Sequence, residues 1–360
     1  MKKTLTAIAF IVVALAAYFV LWPVPIEPTA WPAPANAGYA GAFATNQRLA
    51  NLQQIDLKGE SGPEHVALGR DGKLYTAVAS GNILRMNADG TALEVFARPG
   101  SRILGFDFDA AGNLIGADVE RGLVSIAPNG KMTVLTDKVD GDPIRFADAV
   151  VVARNGKMYF SDASTRFGPR THGGIYEASL LEILEGAATG RVLEYDPATK
   201  KTRRIASGFA FANGVALSQD ERSLFVNDTG RYRIWKIDIT GSEPAKVFMD
   251  NLPGYPDNLM RGSDGKIWVG LVKPRTDEND SLSDKPFLRK LIMRMPRALW
   301  PLPKEYGHVF AFTEDGKVVT SLQDPAAAYP ETTGVTETAD RLYIQNLHSK
   351  TLGWMARTTR

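Results

Sequence analysis

Short apolar runs, each preceded by a polar turn, recur along most of the chain. One example is the segment from Asp71 to Tyr75, in which Asp-Gly-Lys leads into Leu-Tyr. The strand cores of the six copies lie at Leu74, Leu114, Met158, Leu224, Ile267 and Leu342. Turn residues that alternate with short apolar runs are typical of antiparallel β-hairpins. The hydrophobic pattern therefore predicts an all-β body built from repeated units.

The spacing of these copies indicates the architecture. The first three cores are 40 and 44 residues apart, and the fourth and fifth are 43 residues apart. A strand-rich period of ~40–45 residues is typical of β-propeller blades. The segment from Leu49 to Leu57 precedes the first copy and can complete the last blade, which closes the ring. We therefore predict a six-bladed β-propeller over residues 46–360, since a pair of β-sandwiches does not explain six copies at one period.

Two gaps between copies are wider and hold insertions, at residues 166–190 and 273–305. The first contains a short helix from Ser179 that Gly186 ends. The second predicts an amphipathic helix from Pro286 to Leu299, with an apolar residue every four positions and several basic residues. Two interpretations of this helix remain open. Its apolar face covers the mouth of the propeller as a lid, or the helix contacts anionic lipid.

The chain begins with an apolar segment. Residues 4–22 are uncharged and, as a helix, span about 28 Å, roughly the hydrocarbon core of a bilayer. This length favours a membrane anchor at residues 1–22, and a cleaved signal peptide, which usually has a shorter apolar region, is the alternative. Lys2 and Lys3 keep the N-terminus cytoplasmic, so we expect the propeller on the non-cytoplasmic (periplasmic or extracellular) side, or secreted after cleavage.

Residues 23–45 separate the apolar segment from the repeats and are rich in Pro and Ala. Such a composition predicts a stiff, extended tether. Because all six copies of the repeat follow residue 49, we expect a chain that lacks residues 1–45 to fold as a soluble monomer.

Composition excludes several classes of function. The chain has 42 basic and 40 acidic residues, so its net charge of +2 gives no reason to expect nucleic acid as a partner. It has no cysteine, which excludes disulfides, thiolate zinc sites and a cysteine nucleophile. No dinucleotide-binding fingerprint is present, and a Ser-His-Asp triad cannot be chosen from sequence because geometry sets its members.

Four polar residues precede the strand cores of their copies at nearly the same distance. Glu64, Asp148 and Asp257 lie ten residues before the core, and Asn213 lies eleven before it. The innermost strands of a propeller surround a central channel, so residues at one phase meet on the axis. Three carboxylates and an amide form an all-oxygen set that suits Ca²⁺, and the carboxylates would repel one another without a cation. Single residues of these types are common in turns, but four in phase favour a metal site.

Longer motifs resemble the strictosidine synthase-like proteins. They are Arg145–Asp148 (RFAD), Tyr159–Arg166 (YFSDASTR), Gly190–Pro197 (GRVLEYDP), Phe211–Ala216 (FANGVA), Pro253–Asn258 (PGYPDN) and Tyr306–Val309 (YGHV). The resemblance covers roughly residues 50–355, including both insertions. The wider superfamily includes the gluconolactonase/SMP-30 lactonases, the paraoxonases and the diisopropylfluorophosphatases. These are six-bladed propellers with calcium on the axis, so the resemblance implies that fold and that ion here.

The resemblance also implies roles for individual residues. Glu64, Asn213 and Asp257 match metal-binding positions of the superfamily, and Asp148 stands where the superfamily has Asn. The superfamily's fifth-blade Asp, which Asp257 matches, is also discussed in the hydrolases as nucleophile or general base. We therefore take Asp257 and Asp148 as the catalytic candidates. His65, beside Glu64, is expected either to orient that ligand or to be a plain buried strand residue.

Asn258, next to Asp257, is likewise expected to orient a ligand.

The plant alkaloid synthase uses a sixth-blade glutamate for its condensation reaction. In this chain that place falls near residues 332–334, where no glutamate stands, although Glu331 and Glu337 flank it. This departure disfavours strictosidine synthesis.

Together these features favour a calcium-dependent hydrolase that acts on a small-molecule ester or lactone. One alternative is a non-catalytic, membrane-tethered binding module, since propellers host many functions. A condensing lyase of the strictosidine synthase type is a less favoured alternative. A metal-dependent hydrolysis screen separates the first interpretation from the other two.

Overall fold

The computed structural model describes residues 2–357. It begins with helix α1 (Lys2–Leu21), in which no residue is buried. By length and composition α1 fits a helix that could cross a membrane, as the sequence predicts.

The body is a ring of six four-stranded antiparallel sheets within the described residues. The first strand, β1 (Gln53–Asp56), precedes blade 1, which contains β2 (His65–Leu68), β3 (Leu74–Ala77), β4 (Ile83–Met86) and β5 (Glu94–Ala97). Blade 2 contains β6 (Ile103–Phe108), β7 (Leu114–Asp118), β8 (Gly122–Ile126) and β9 (Met132–Thr136). A short hairpin follows, with strands β10 (Lys138–Val139) and β11 (Asp142–Pro143).

The remaining blades continue in chain order. Blade 3 contains β12 (Ala147–Val152), β13 (Met158–Asp162), β14 (Gly190–Asp196) and β15 (Lys201–Phe209). Blade 4 contains β16 (Ala212–Leu217), β17 (Ser223–Asp228), β18 (Arg233–Asp238) and β19 (Lys246–Met249). Blade 5 contains β20 (Gly254–Arg261), β21 (Lys266–Pro274), β22 (Gly307–Thr313) and β23 (Val318–Asp324). Blade 6 contains β24 (Thr332–Glu337), β25 (Arg341–Asn346) and β26 (Thr351–Ala356).

Strand β1 closes the ring. It pairs antiparallel with β26, with Ile55 opposite Leu352, and so supplies the fourth strand of blade 6. The last blade is thereby tied to the residues that precede the first, and only short strand edges remain. The predicted six-bladed, all-β propeller is confirmed.

Apolar side chains between neighbouring blades form the core. In the described part of the chain, each pair of adjacent sheets encloses one cluster of buried residues. Between blades 4 and 5, for example, Phe225 packs with Phe312. Full burial of such a side chain contributes about 1.5–3 kcal/mol, so the sheets are held face to face around the channel.

Two helical insertions lie above the channel, and we call them the lid (residues 166–190 and 273–305). Helix α2 (Ile175–Glu185) lies between β13 and β14, and Gly186 ends it in the left-handed conformation with φ of 62°. Helices α3 (Asp277–Asp280) and α4 (Pro286–Met293) lie between β21 and β22. Helix α4 is shorter than the predicted helix to Leu299, because Pro296 cannot continue it and residues 297–299 form a 3₁₀ turn.

Residues 23–40, which we call the strap, are extended as expected but lie against the lid instead of hanging free. Ile26 is fully buried in a cluster beneath α2. The Thr29 amide donates to the Glu185 carbonyl (2.8 Å), and the Trp31 amide donates to the Ser283 carbonyl (2.9 Å). An extended proline-rich segment makes no internal hydrogen bonds, so its backbone is free to pair with both insertions.

Candidate active site at the propeller axis

Irregular pairing in the innermost strands turns the predicted site residues toward the channel. Strands β12, β16 and β20 each shift register, at residues 147–150, 212–215 and 256–259. Asp148, Asn213 and Asp257 lie within these shifts. A bulge breaks the regular alternation of a strand and re-aims a side chain. Each of these three blades therefore uses the same irregularity to turn one polar side chain toward the channel.

The structure brings all four predicted ligands together. Glu64, Asp148, Asn213 and Asp257 are buried and line one cavity of about 450 Å³ beneath the lid. Its walls are largely apolar and include residues of α2, residue Ile292 of α4 and Trp31 of the strap. A polar floor under apolar walls is typical of a small-molecule site.

Arg102 also belongs to this floor, although it is not among the residues predicted from the phase of the repeat. It immediately precedes β6 of blade 2, and its guanidinium lies 2.6 Å from the Glu64 carboxylate. The residue of blade 2 that is in phase with the other ligands is Leu104, ten positions before Leu114. Arg102 is two residues out of phase, and its long side chain reaches the axis from there. The signal in the sequence that could have identified Arg102 is a basic residue directly before the apolar start of blade 2.

Negative charge dominates the floor. Burial raises the pKa of Glu64, and it raises the pKa of Asp148 well above its usual range with help from the charges of Asp257 and Glu64. The pKa of Asp257 is also raised well above its usual range, first by burial and then by Glu64, while a hydrogen bond with Asn213 and the charge of Arg102 oppose the rise. Three carboxylates beside one guanidinium leave an excess of negative charge in a buried site.

The donor chemistry at the floor fits a hard divalent cation. The side-chain oxygen of Asn213 is buried and has no hydrogen-bond partner among the described residues, which is costly unless another group satisfies it. With the three carboxylates it forms the oxygen donor set that Ca²⁺ prefers. Within residues 2–357 no three acidic or histidine side chains have ready metal-site geometry, and Glu64 pairs with Arg102. An ion would therefore compete with Arg102 for Glu64.

Hydrogen bonds from other blades fix the backbone of Glu64. The Asn258 side-chain amide and the Thr333 hydroxyl each donate to the Glu64 carbonyl at 2.8 Å. Asn258 thus holds the main chain of a candidate ligand. His65 does not: its ring packs on Phe106, with centroids 4.7 Å apart, and neither ring nitrogen finds a hydrogen-bond partner within the described residues. Successive strand residues point to opposite faces, so His65 turns away from the Glu64 side chain.

Blade 4 fixes the backbone around Asp257. The Asn227 side-chain amide donates to the Asp257 carbonyl, and the Thr229 hydroxyl donates to the Pro256 carbonyl at 2.6 Å. A side chain at Gly214 would overlap the Asp257 carbonyl oxygen, so glycine there allows blades 4 and 5 to approach. These contacts hold Asp257 in place against the repulsion of its neighbours.

A second charged group lines the same cavity. Glu331, at the start of blade 6, pairs with Lys273 (2.8 Å) and with His348 (2.5 Å). Burial alone would raise the pKa of Glu331, but its bonds with His348 and Lys273 outweigh burial and lower it. Glu337, the other glutamate near this blade start, instead accepts a hydrogen bond from the Trp268 indole (2.7 Å) and does not line the cavity.

Comparisons with known proteins agree with this fold. The family description "Strictosidine synthase-like, N-terminal" matches residues 41–86, and "SMP-30/Gluconolactonase/LRE-like region" matches residues 66–279. Protein STRICTOSIDINE SYNTHASE-LIKE 4 of Arabidopsis thaliana is 36% identical over 236 residues, 64% of this chain and 62% of that protein. The match thus spans less than two thirds of that relative. An adipocyte plasma membrane-associated protein of Salmo salar is 32% identical over 349 residues, 89% of this chain and 82% of that protein.

Solved structures share the fold at low sequence identity. A gluconolactonase from Xanthomonas campestris superposes with a TM-score of 0.62 at 20% identity, covering 93% of this chain and 98% of its own. A calcium-binding protein, regucalcin, from Agrobacterium tumefaciens superposes with a TM-score of 0.57 at 13% identity, covering 86% of this chain and 96% of its own. The propeller, its ring closure and the matched regions lead to one conclusion: the chain belongs to the strictosidine synthase-like proteins of the SMP-30/gluconolactonase/LRE-like family.

Proposed function

We propose that this propeller hydrolyses small-molecule esters or lactones at a divalent-cation site on its axis, with calcium as the ion. The observation that carries the proposal is the cavity, in which three carboxylates and an amide from four blades form the floor. Its apolar walls suit an uncharged or amphiphilic substrate. The shared fold of a gluconolactonase and of a calcium-binding regucalcin supports this class of function.

Glu64, Asp148, Asn213 and Asp257 would hold the cation. When bound, such an ion polarises a carbonyl oxygen and stabilises the negative charge that develops on it. Calcium accepts six to eight oxygen ligands in flexible geometry, which suits donors carried by four separate blades.

The side chains of the floor supply the other roles. Asp257 is the first candidate to take a proton from the attacking water or to attack directly, because its backbone is fixed by Asn227. Asp148, which faces the same cavity, is the second candidate. Arg102 adds a fixed positive charge beside the reacting groups.

The condensing reaction of the alkaloid synthase is disfavoured by the state of Glu331. This residue is the glutamate of the sixth blade that reaches the cavity. Its ion pairs with Lys273 and His348 lower its pKa, and a carboxylate with a lowered pKa is a weak base. A non-catalytic binding module would use the same cavity, so an activity measurement has to separate the two.

The test is a hydrolysis screen with the purified full chain in detergent. Phenyl acetate and several lactones are offered with a chelator, with calcium and with magnesium. We expect turnover that needs calcium, that falls in Asp257→Asn and that persists in the exposed Asp340→Asn control. Absence of turnover on every substrate, or turnover that ignores both chelator and Asp257→Asn, would contradict the proposal.

A further inference from the structure

Large apolar side chains are exposed on the outer surface of the lid. Phe287 is 55% exposed, Leu299 is 61% exposed and Leu302 is 47% exposed, and Tyr176 of α2 joins them. In the rest of the described propeller, the large exposed apolar residues stand singly on separate strands or turns: Leu68, Val134 and Val247. Isolated exposed apolar residues are normal, but a cluster marks a surface that another apolar phase covers.

The lid is bonded directly to the end of α1. The Arg294 guanidinium, just after α4, donates to the Trp22 carbonyl (2.7 Å) and to the Phe19 carbonyl (3.0 Å). The Tyr18 hydroxyl donates to the Arg294 carbonyl (3.1 Å). Arginine thus satisfies carbonyls that a helix end leaves without partners. The end of α1 at which the chain would leave a bilayer therefore sits on the lid.

The basic residues of the amphipathic segment from Pro286 to Leu299 are already engaged within the protein. Arg289 is buried and donates to backbone carbonyls at the end of α2. Lys290 pairs with Glu27 (2.5 Å), and Arg297 pairs with Glu177 (2.9 Å). Of the charges that suggested anionic lipid in the sequence, those of Lys290 and Arg297 are therefore paired with carboxylates, and those of Arg289 and Arg294 are buried. The side chains that the lid exposes at Phe287, Leu299 and Leu302 are apolar.

Two of these exposed lid residues border the mouth of the cavity. Tyr176 and Leu302 are exposed and also line the cavity, and Trp300 lines it as well. Glu305 and His348 also line the cavity and are exposed, so apolar lid residues border one side of the opening and charged residues border the other. A molecule that enters along the lid passes apolar side chains before it reaches the charged floor.

We propose that the apolar lid face, formed by Tyr176, Phe287, Leu299 and Leu302, docks into the lipid surface of the membrane that holds α1. The cavity then opens toward the bilayer and takes a lipophilic substrate from it. The docking stands on the contacts above, whereas the choice of substrate rests on the proposed hydrolase function.

The absence of cysteine from the sequence allows a direct test of docking. Two full-length variants each carry one cysteine, Leu299→Cys on the lid and Leu68→Cys as the control. Each cysteine is given a fluorescent label, and the protein is placed in phosphatidylcholine nanodiscs that contain doxyl-labelled lipid as the quencher. Leu68 is also exposed (47%) but lies at the far end of the strand that begins beside Glu64. Both chains are first shown to melt at the temperature of the unsubstituted protein.

We expect lipid to quench the label at residue 299 at least about threefold more than the label at residue 68. Equal quenching at the two positions, whether weak or strong, would overturn the docking proposal. Replacing a third of the lipid with phosphatidylglycerol should change the result little. Quenching that appears only with the anionic lipid and disappears in salt would overturn docking through apolar side chains.

A second arm tests the substrate class. The double variant Phe287→Ser and Leu299→Ser changes two lid residues that do not line the cavity. In nanodiscs it should hydrolyse a long-chain ester at least about threefold more slowly and phenyl acetate at an unchanged rate. If the double variant hydrolyses both esters as fast as the unsubstituted chain does, delivery from the bilayer is overturned. Failure to hydrolyse either ester, in variant and unsubstituted chain alike, would reject the hydrolase function and leave the quenching result to decide the docking.

Discussion

At the scale of single residues, the floor of the cavity is a site of unfavourable charge. Glu64, Asp148 and Asp257 are buried, the charges of Asp257 and Glu64 help to raise the pKa of Asp148, and the charge of Glu64 helps to raise the pKa of Asp257. Arg102 forms its ion pair with Glu64. Such an arrangement lowers the stability of the metal-free chain. Functional sites commonly retain strain of this kind because the activity requires it.

The first prediction is that Asp257→Asn stabilises the protein in the presence of a chelator. Asparagine keeps the volume of the side chain but removes one buried negative charge that burial and Glu64 disfavour. A gain of about 1 kcal/mol would raise the melting temperature by about 1 °C in a chain of this size. Thermal melting in chelator measures it, with Asp340→Asn as the exposed control. A lower melting temperature than that of the unsubstituted chain would show that Asp257 stabilises the fold.

The second prediction concerns Arg102→Gln. The change leaves Glu64 buried without its cation, and removal of one partner from a buried ion pair costs about 3–5 kcal/mol. Arg102→Lys keeps the charge and should lose less. Calcium should recover more stability in Arg102→Gln than in the unsubstituted chain, because an ion no longer competes for Glu64. Urea unfolding with and without calcium measures both effects, and unchanged unfolding midpoints would refute the role of Arg102.

How far the site could be predicted from sequence depends on the backbone. Asp148, Asn213 and Asp257 share a phase because each lies at the same irregularity of an innermost strand. The phase of the repeat does not predict Arg102, because the length of its side chain, and not the position of its backbone, brings it to the axis. The orienting role considered for His65 fails for a simpler reason, the alternation of side chains along a strand.

At the scale of elements, α2 is attached to blade 3 through a buried carboxylate. Glu182 accepts hydrogen bonds from the Ser164 hydroxyl (2.6 Å), the Thr189 hydroxyl (2.9 Å) and the Thr189 amide (3.0 Å). Burial nevertheless dominates and raises the pKa of Glu182 to about 7. The lid helix therefore rests on a group that titrates near neutral pH.

The third prediction is a pH dependence that belongs to Glu182. Its folded pKa lies above the ordinary value of 4.5, so folding favours the protonated form. This contribution is fully present below about pH 4.5 and is lost as the pH rises to about 7. Melting temperatures between pH 4.5 and pH 8 should fall less steeply in Glu182→Gln than in the unsubstituted chain. The exposed Glu120→Gln control should keep the original slope, and a parallel slope for Glu182→Gln would contradict the argument.

The fourth prediction separates α1 from the strap. A chain that lacks residues 1–22 should melt only slightly below the full-length protein, because it loses the bonds of Arg294 to Phe19 and Trp22 but no buried residue of α1. A chain that lacks residues 1–45 should melt several degrees lower, since it also loses buried Ile26, worth about 1.5–3 kcal/mol, and the backbone bonds of Thr29 and Trp31. Differential scanning calorimetry compares the two. Equal melting temperatures would restore the simpler expectation that residues 23–45 only tether.

The ends of the helices could be predicted from the sequence, but the position of the strap could not. The end of α2 at Gly186 is a local property and is predicted. The early end of α4 is also local, because Pro296 interrupts the apolar spacing that suggested a longer helix. The position of the strap is not local. It depends on Glu185 and Ser283, which lie more than 150 residues away along the chain, and no periodicity of the strap itself indicates them.

At the scale of the whole molecule, the period of the repeat predicts the ring of six blades but not the arrangement of the lid above it. Six copies at one spacing imply six sheets, and the β1 strand that closes them could be anticipated from its place before the first copy. The lid is different, because its two parts come from blades 3 and 5 and meet only in space. Its bond to α1 through Arg294 joins residues 19 and 22 to residue 294, a contact that composition cannot predict.

The fifth prediction follows from the ring as a whole. A cation held by Glu64, Asp148, Asn213 and Asp257 joins blades 1, 3, 4 and 5, so it binds the folded chain and not the unfolded one. Calcium at about 100 times its dissociation constant would then stabilise the fold by about 2.7 kcal/mol. Chelator should lower the melting temperature, and calcium should restore it better than magnesium, which demands stricter octahedral geometry.

The matched variants show whether this response arises at the axis. Asp257→Asn removes a charged donor and should shrink the calcium-dependent shift, whereas Asp340→Asn, which is far out on the surface, should keep all of it. A shift that is equal in both variants would place the ion elsewhere on the protein. A melting temperature that neither chelator nor calcium changes would mean that Arg102 alone balances the carboxylates, and the axial cation would have to be abandoned.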